Sequence, residues 1–232
     1  EVTGIGVLIQ HGLSFTFEQS RIARVNPGGV EEVGVGLVNL GGPGIVMRSS
    51  LIEDCAGTAL AARDADLSVE SSVIRNNDGY GVAASCVSCG DATPVIDVTD
   101  SEITDNTGVG IWLNGVDPVV SQCVVTGTRR TFDGFSRSVE IVGGEPFLVT
   151  GNVVGGGEDI GVYLASAAGE LSDNSVQDHL GRGIWAQQIT GTTGPFLVEM
   201  LDNDVLGNAE VGIGVKGDFD VAISGGRIEE TV

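Results

Sequence analysis

The amino-acid sequence predicts an all-β solenoid: a parallel β-helix of eight or nine coils, each built from three short strands. Three observations point there. The stretch Asp105-Asn106-Thr107-Gly108-Val109-Gly110-Ile111-Trp112-Leu113 is rewritten at 76–84, 178–186 and 207–215, each time as a polar turn, a glycine and a short apolar run. A unit recurring at this interval marks a repeat architecture. Aliphatic anchors at Ile22, Ile52, Ile74, Ile103, Val124, Val154, Val176, Val205 and Ile228 lie 30, 22, 29, 21, 30, 22, 29 and 23 residues apart. Short (~22) and long (~29) units therefore alternate, and Ile52, Ile103, Val154 and Val205 fall at steps of 51. Within each unit the apolar residues alternate, as in Ile111/Leu113 and Val162/Leu164. That is the period of a strand, and 22 residues is too short for a helix-containing repeat. Coils stacked at the spacing of hydrogen-bonded strands give a rod roughly 40 Å long.

Each part of the unit has a reason. Gly6, Gly36, Gly81, Gly110, Gly161, Gly183 and Gly212, with Ala59 and Ser138 as variants, form a column of small residues. It marks where the backbone bends into the next strand and where one coil approaches another closely. Pro43, Pro94, Pro118, Pro146 and Pro195 each precede an apolar run; proline fits there because its missing N–H leaves no ladder bond unmade. Asn77, Asn106 and Asn208 share a column in which stacked amides can bond along the rod. The long units carry insertions around 86–92, 129–136 and 189–194. In stacked repeats such insertions emerge as loops.

The chain carries 11 basic and 32 acidic residues, a formal charge of −21. This excludes nucleic acid and anionic membrane surfaces as partners, which need basic patches. No apolar run is long enough to span a bilayer. Because both ends fall inside a repeat, residues 1–232 read as one β-helix domain cut from a longer chain. Four cysteines do not make a disulfide scaffold. Cys86 and Cys89 can form a local disulfide, half a metal site or a pair of free thiols, and the disulfide would point to an oxidising compartment. No metal motif is present; acidic clusters could hold Ca²⁺, but the glycine-aspartate nonapeptide of calcium-binding β-rolls is absent, so no cofactor is indicated. Gly212, Gly214 and Gly217 fit a dinucleotide fingerprint only in spelling, since they belong to another copy of the β repeat.

These residues together resemble the right-handed parallel β-helix repeat of the pectin-lyase-like superfamily, including the NosD-like repeat proteins, over about residues 4–230. The resemblance implies a right-handed coil. It implies no single activity, because that superfamily holds lyases, hydrolases, epimerases, adhesins and proteins without known activity. The N-x-D, D-D, G-H-G and R-x-K signatures of its polygalacturonases are missing here.

Side-chain alternation supplies the best functional lead. In the strand after the glycine column, Ile111, Val139, Val162 and Ile184 should point inward, which turns Trp112, Glu140, Tyr163 and Trp185 outward. The expectation is an exposed aromatic strip interrupted by Glu140, a platform for sugar rings or a patch covered by protein. His179, next to Asp178 and Arg182, sits in the asparagine column and reads as solvated or ladder-capping rather than catalytic; His11 is isolated. Asp97, Asp100, Glu102 and Asp105 could supply a carboxylate pair for glycoside hydrolysis, as could Glu140 with a neighbour in the next coil. The expected protein is therefore an extracellular or cell-envelope module that binds a polysaccharide or protein along its side without catalysis. A polysaccharide lyase, hydrolase or epimerase and a passive spacer are the alternatives.

Overall fold

The computed structural model describes residues 2–10, 14–27, 34–89, 92–144 and 146–229. His11 and Gly90-Asp91 of the first insertion lie outside the described residues. The described residues wind through nine coils, and every strand pair among them is parallel. Three stacks of strands result. The first and second are hydrogen-bonded into one 16-stranded sheet, because Val35–Arg48 and Leu60–Glu70 run through both without interruption. The third is a nine-stranded sheet of three-residue strands from Arg21–Ala23 to Arg227–Glu229. The expected right-handed parallel β-helix is thus the observed fold, with two coils in which two of the three strands fuse. No helix in the described residues is long and apolar enough to cross a membrane.

The anchors stack in the third sheet, with one correction. Ile103 pairs with Val125, and Val125 pairs with Val154. Val125 is fully buried, whereas Val124 is 40% exposed on the outside. With Val125 as anchor, the spacings from Ile52 to Val205 become 22 and 29 in strict alternation.

Two corners hold each of these short strands. The residue three before the anchor and the residue two after it take left-handed backbone angles: Ser49 and Asp54 around Ile52, Asp100 and Asp105 around Ile103, Asp202 and Gly207 around Val205. Glycine takes this conformation freely, and Asp and Asn tolerate it because a short polar side chain bonds locally. That explains why aspartates crowd the turns of this chain.

Just inside the corners, side chains bond along the rod. Ser20, Ser50 and Ser72 donate their backbone N–H to the hydroxyls of Ser50, Ser72 and Ser101 in the next coil, at 3.1, 3.2 and 3.1 Å. Asparagine continues the same column: the N–H groups of Cys123, Asn152 and Asn174 bond to Oδ1 of Asn152, Asn174 and Asn203 at 2.8, 3.0 and 3.1 Å. A second ladder links Cys55 to Asn77 and Asn77 to Asn106. These polar columns satisfy buried backbone groups that the sheets leave unpaired.

The glycine column serves close approach rather than unusual backbone angles. A Cβ at Gly110 would lie 2.5 Å from the carbonyl oxygen of Ser138 and 2.8 Å from Val125. Gly110 is absent from the left-handed glycines, as are Gly81, Gly161 and Gly183. Pro94, Pro146 and Pro195 stand immediately before the strands Val95–Thr99, Phe147–Thr150 and Phe196–Leu201, as the sequence predicts. Pro118 instead occupies the second position of Asp117–Ser121.

The insertions place loops along both edges of the first sheet. Those beginning at Cys86 and Gln188 follow the strands Val82–Ser85 and Arg182–Gln187 and leave by one edge. The segment 129–136 enters by the other edge, ahead of Arg137–Val142. Each of the first two is held by a corner residue of the coil below it. The carboxylate of Asp64 accepts the N–H groups of Val87 and Ser88 at 2.6 and 2.8 Å. Ser166 Oγ accepts that of Ile189 at 2.8 Å.

Candidate functional site

The outer face of the first sheet carries one continuous column. Ala61, Ala83, Trp112, Glu140, Tyr163, Trp185 and Gly214 pair in register through successive coils. Trp112, Tyr163 and Trp185 are therefore neighbours of the kind the alternation predicts. They are not fully exposed. All three are half-buried, and Glu140 is only 6% exposed.

The cover comes from residues three positions earlier in the strand, and from the loop at 129–136. Tyr80 packs against Trp112 with ring centroids 6.1 Å apart. Arg137 forms an ion pair with Glu140 and lays its guanidinium 3.9 Å from the ring centre of Tyr163 and 5.5 Å from that of Phe135. Arg182 sits 4.1 Å from the ring centre of Trp185, whose indole N–H donates to Gln187 at 3.2 Å. Trp185 itself lies over Gly214, where an added Cβ would be 2.2 Å from the indole ring. Cation–π contact at such distances holds the rings of Tyr163 and Trp185 in place. Burial pushes the carboxyl of Glu140 above its usual range, with Arg137 pulling the other way. Burial also raises the phenols of Tyr80 and Tyr163. Nε of Arg137 is buried and bonds to no group among the described residues. The result is a ribbon of aromatic edges and guanidinium planes across coils five to eight, with its one carboxylate paired and shielded.

The sequence model of the right-handed β-helix region matches residues 2–125 and 89–228. The chain belongs to this right-handed β-helix family. Among solved structures, the β-helix is similar to the periplasmic alginate epimerase AlgG. A crystal structure of a double mutant of that enzyme superposes with a TM-score of 0.63 at 10% identity, over 97% of this chain and 62% of that one. A second AlgG crystal structure gives 0.49 at 13% identity, over 94% and 61%. This β-helix thus spans less than two-thirds of the length of those structures, and at such identity the likeness is one of fold. Among curated proteins no sequence matches.

The β-helix scatters the other sequence candidates. Asp100 and Asp105 are left-handed corners, Glu102 belongs to the third sheet, and Asp97 lies in the second. They do not converge on one point. Asp97 is the exception worth noting: burial, then the charges of Asp117 and Asp66, raise its carboxyl. Cys86 and Cys89 are joined by a disulfide. Cys55 and Cys123 are buried free thiols, and burial raises both, Cys123 to about 11, which makes them poor nucleophiles.

His179 is an interior residue of the β-helix, 1% exposed, in the column of Asn77, Asn106 and Asn208. Its N–H bonds to Asn208 Oδ1 at 3.1 Å, while ring atom Nδ1 has no partner among the described residues. Burial lowers its pKa from 6.5 to about 4. The folded state therefore holds His179 neutral while the unfolded chain takes up a proton below about 6.5. Its contribution to stability is complete above about pH 6.5 and is lost as pH falls toward 4, by about 3 kcal/mol. Urea titrations from pH 7.5 to 4 should show this component in the wild type. His179→Asn, which restores the ladder residue, should lack it.

Sequence reasoning missed Tyr80, Arg137, Arg182 and Phe135 as parts of the strip. The signal was present: Arg137/Glu140 and Arg182/Trp185 share a three-residue spacing across the glycine column.

Proposed function

We propose that this chain is a noncatalytic β-helix module of the cell envelope or extracellular space that binds a polysaccharide along the outer face of its first sheet. The observation that carries this reading is the in-register column Trp112–Glu140–Tyr163–Trp185 with its partners Tyr80, Arg137 and Arg182. Aromatic edges and guanidinium planes fixed in one row suit a chain of sugar rings, which offer apolar faces and hydroxyl rims together. Trp112 and Trp185 stand three coils apart, about 14 Å, so the row is long enough for several sugars. Loops leave the face along both of its edges. A noncatalytic role is supported by Glu140, the strip's carboxylate, which is 6% exposed and ion-paired with Arg137 rather than open to a ligand. The Cys86–Cys89 disulfide supports an oxidising location. The fold shared with a periplasmic alginate epimerase supports a carbohydrate setting.

Affinity electrophoresis against neutral and acidic polysaccharides tests the proposal. Wild-type protein should be retarded by at least one polymer, and Trp112→Ala/Trp185→Ala should migrate as in a gel without polymer. Free migration of the wild type on every polymer would refute binding at the strip. Retardation that the double variant retains would place binding elsewhere on the rod.

A catalytic reading has one observation in its favour. Asp97, held toward its protonated form near Asp66 and Asp117, lines a groove on the second face together with Asp66 and Ser68. Incubating each retarding polymer with wild type and Asp97→Asn, and following chain length and sugar stereochemistry, decides it. Turnover lost in the variant would make the second face an active site.

A further inference from the structure

The loop at 129–136 ends in a feature the strip does not use. Phe132 is fully exposed, with no side of its ring covered. The loop beneath it is closed: Thr131 and Gly134 are bound into a turn by Thr131 N–H to the carbonyl of Phe135 and Gly134 N–H to the carbonyl of Thr131, both at 2.9 Å. The ring is thus held out in water on a preformed support, and docking it requires little further ordering. Arg129 and Arg130 stand beside it. Arg129 forms a loose ion pair with the exposed carboxylate of Asp78, at 3.8 Å, and Arg130 takes part in no ion pair among the described residues. In a chain of charge −21, two adjacent arginines on an exposed loop are a local basic feature, although Arg130's backbone N–H is also bound by Glu158 at 2.7 Å.

Another face of the rod has the complementary shape and charge. On the second face, Pro146, Leu148, Ala168 and Leu197 floor an open groove of about 570 Å³, with Glu170 and Glu199 beside them. Leu197 is 51% exposed. Glu170 and Glu199 are in-register neighbours in adjacent coils, so two like charges are stacked with no cation paired to either among the described residues. Stacked like charges on neighbouring strands are unfavourable unless something neutralises them.

We propose that the Phe132 loop of one copy of this chain docks in the Pro146–Leu197 groove of a second copy, with Arg129 and Arg130 meeting Glu170 and Glu199. The inference stands independently of polysaccharide binding. Phe132 fills the apolar floor as an anchor, and the two arginines neutralise the acidic pair that borders it. Loop and groove lie at the same height on the rod, the loop in coil six and the groove in coils six to eight. The rods therefore align side by side. The contact joins two different surfaces, so it builds a closed ring or an open row rather than a two-fold dimer. Repulsion between copies of charge −21 works against the contact and is screened at physiological salt, where the Debye length is about 8 Å.

Sedimentation equilibrium of the intact chain at about 0.15 M salt tests this. The wild type should show mass rising with concentration, and Phe132→Ser should lower the association constant by about tenfold or more. Two charge-reversed proteins sharpen the test: Arg129→Glu/Arg130→Glu and Glu170→Arg/Glu199→Arg. Each alone should be monomeric, because its loop and groove then carry the same sign. Mixed, they should associate, because each loop finds a groove of opposite sign. All the substitutions lie at exposed or half-exposed positions, and an unchanged circular dichroism spectrum verifies the fold. A wild type that stays monomeric at every concentration overturns the proposal. So does association that Phe132→Ser leaves unchanged, or a mixture that stays monomeric.

Discussion

Asn174→Ala should destabilise the rod by about 4 kcal/mol, read as a drop in the urea midpoint. The side chain of Asn174 is the middle rung of a three-asparagine ladder. Its Oδ1 accepts both the N–H and the side-chain NH₂ of Asn152, at 3.0 and 2.9 Å. Its Nδ2 donates to the carbonyl of Val149 at 2.8 Å and to Oδ1 of Asn203 at 2.9 Å. Alanine leaves two buried donors and one backbone carbonyl without partners, on a residue that is 2% exposed. Each such group costs about 1–3 kcal/mol when no water can reach it. Asn174→Ser should recover about half the loss. A hydroxyl already performs the N–H-accepting part of this task at Ser50, Ser72 and Ser101 in the same column.

Gly110→Val should cost about 3 kcal/mol and should also split the unfolding transition. The new side chain would overlap the Ser138 carbonyl of the coil above and Val125 of its own core. Relief requires the fifth and sixth coils to separate, and that interface is the only bond between the two ends of a linear stack. Denaturation followed at Trp112 and Trp185 fluorescence should resolve two steps where the wild type shows one. Gly110→Ala should behave more mildly, since Ala59 and Ser138 occupy equivalent positions without disrupting their coils. A single sharp transition at the wild-type midpoint for the valine variant would show that the coils have slack the geometry does not suggest.

The fold was legible because its determinants are local and repeated. The anchor needs an aliphatic side chain, the corner a residue at ease with left-handed angles, and the bend a residue with no Cβ. These requirements recur coil after coil, with Ala59 and Ser138 the two exceptions at the bend, so errors in one coil are corrected by the others. The slip in the anchors came at Val124-Val125, where two adjacent valines satisfy the anchor equally. The left-handed corners separate them: Gln122, three residues before Val125, is uninformative for that conformation, and the signal that could have decided it is Gly127, two residues after Val125. The outward column was legible for the same reason as the core: alternation fixes which side chains leave the rod.

What lay over that column was not legible. Cover depends on rotamers and on contacts between coils, neither of which the repeat controls. Arg137 could have pointed to solvent. Its ion pair with Glu140 and its contact with Tyr163 arise because these residues, 3 and 26 positions away in the chain, are brought beside it. The same holds for Glu53, a third-sheet residue 5% exposed and clamped between Arg21 and Arg75 from the coils on either side. Those two guanidiniums, Arg75 foremost, hold its carboxyl below the usual range against the opposing effect of burial. Nothing in the linear spacing distinguishes that glutamate from the other acidic residues in the chain.

The alternation of 22- and 29-residue coils has a consequence for how the rod responds to force. Hydrogen bonds between coils run along the axis, so a pull on the two ends loads one interface at a time, as in unzipping, rather than shearing many together. Each coil that peels away frees its whole length of chain, about 75 Å from a short coil and about 100 Å from a long one. Under tension this protein would lengthen in two step sizes taken in turn, yielding gradually where a sandwich or bundle would hold and then break.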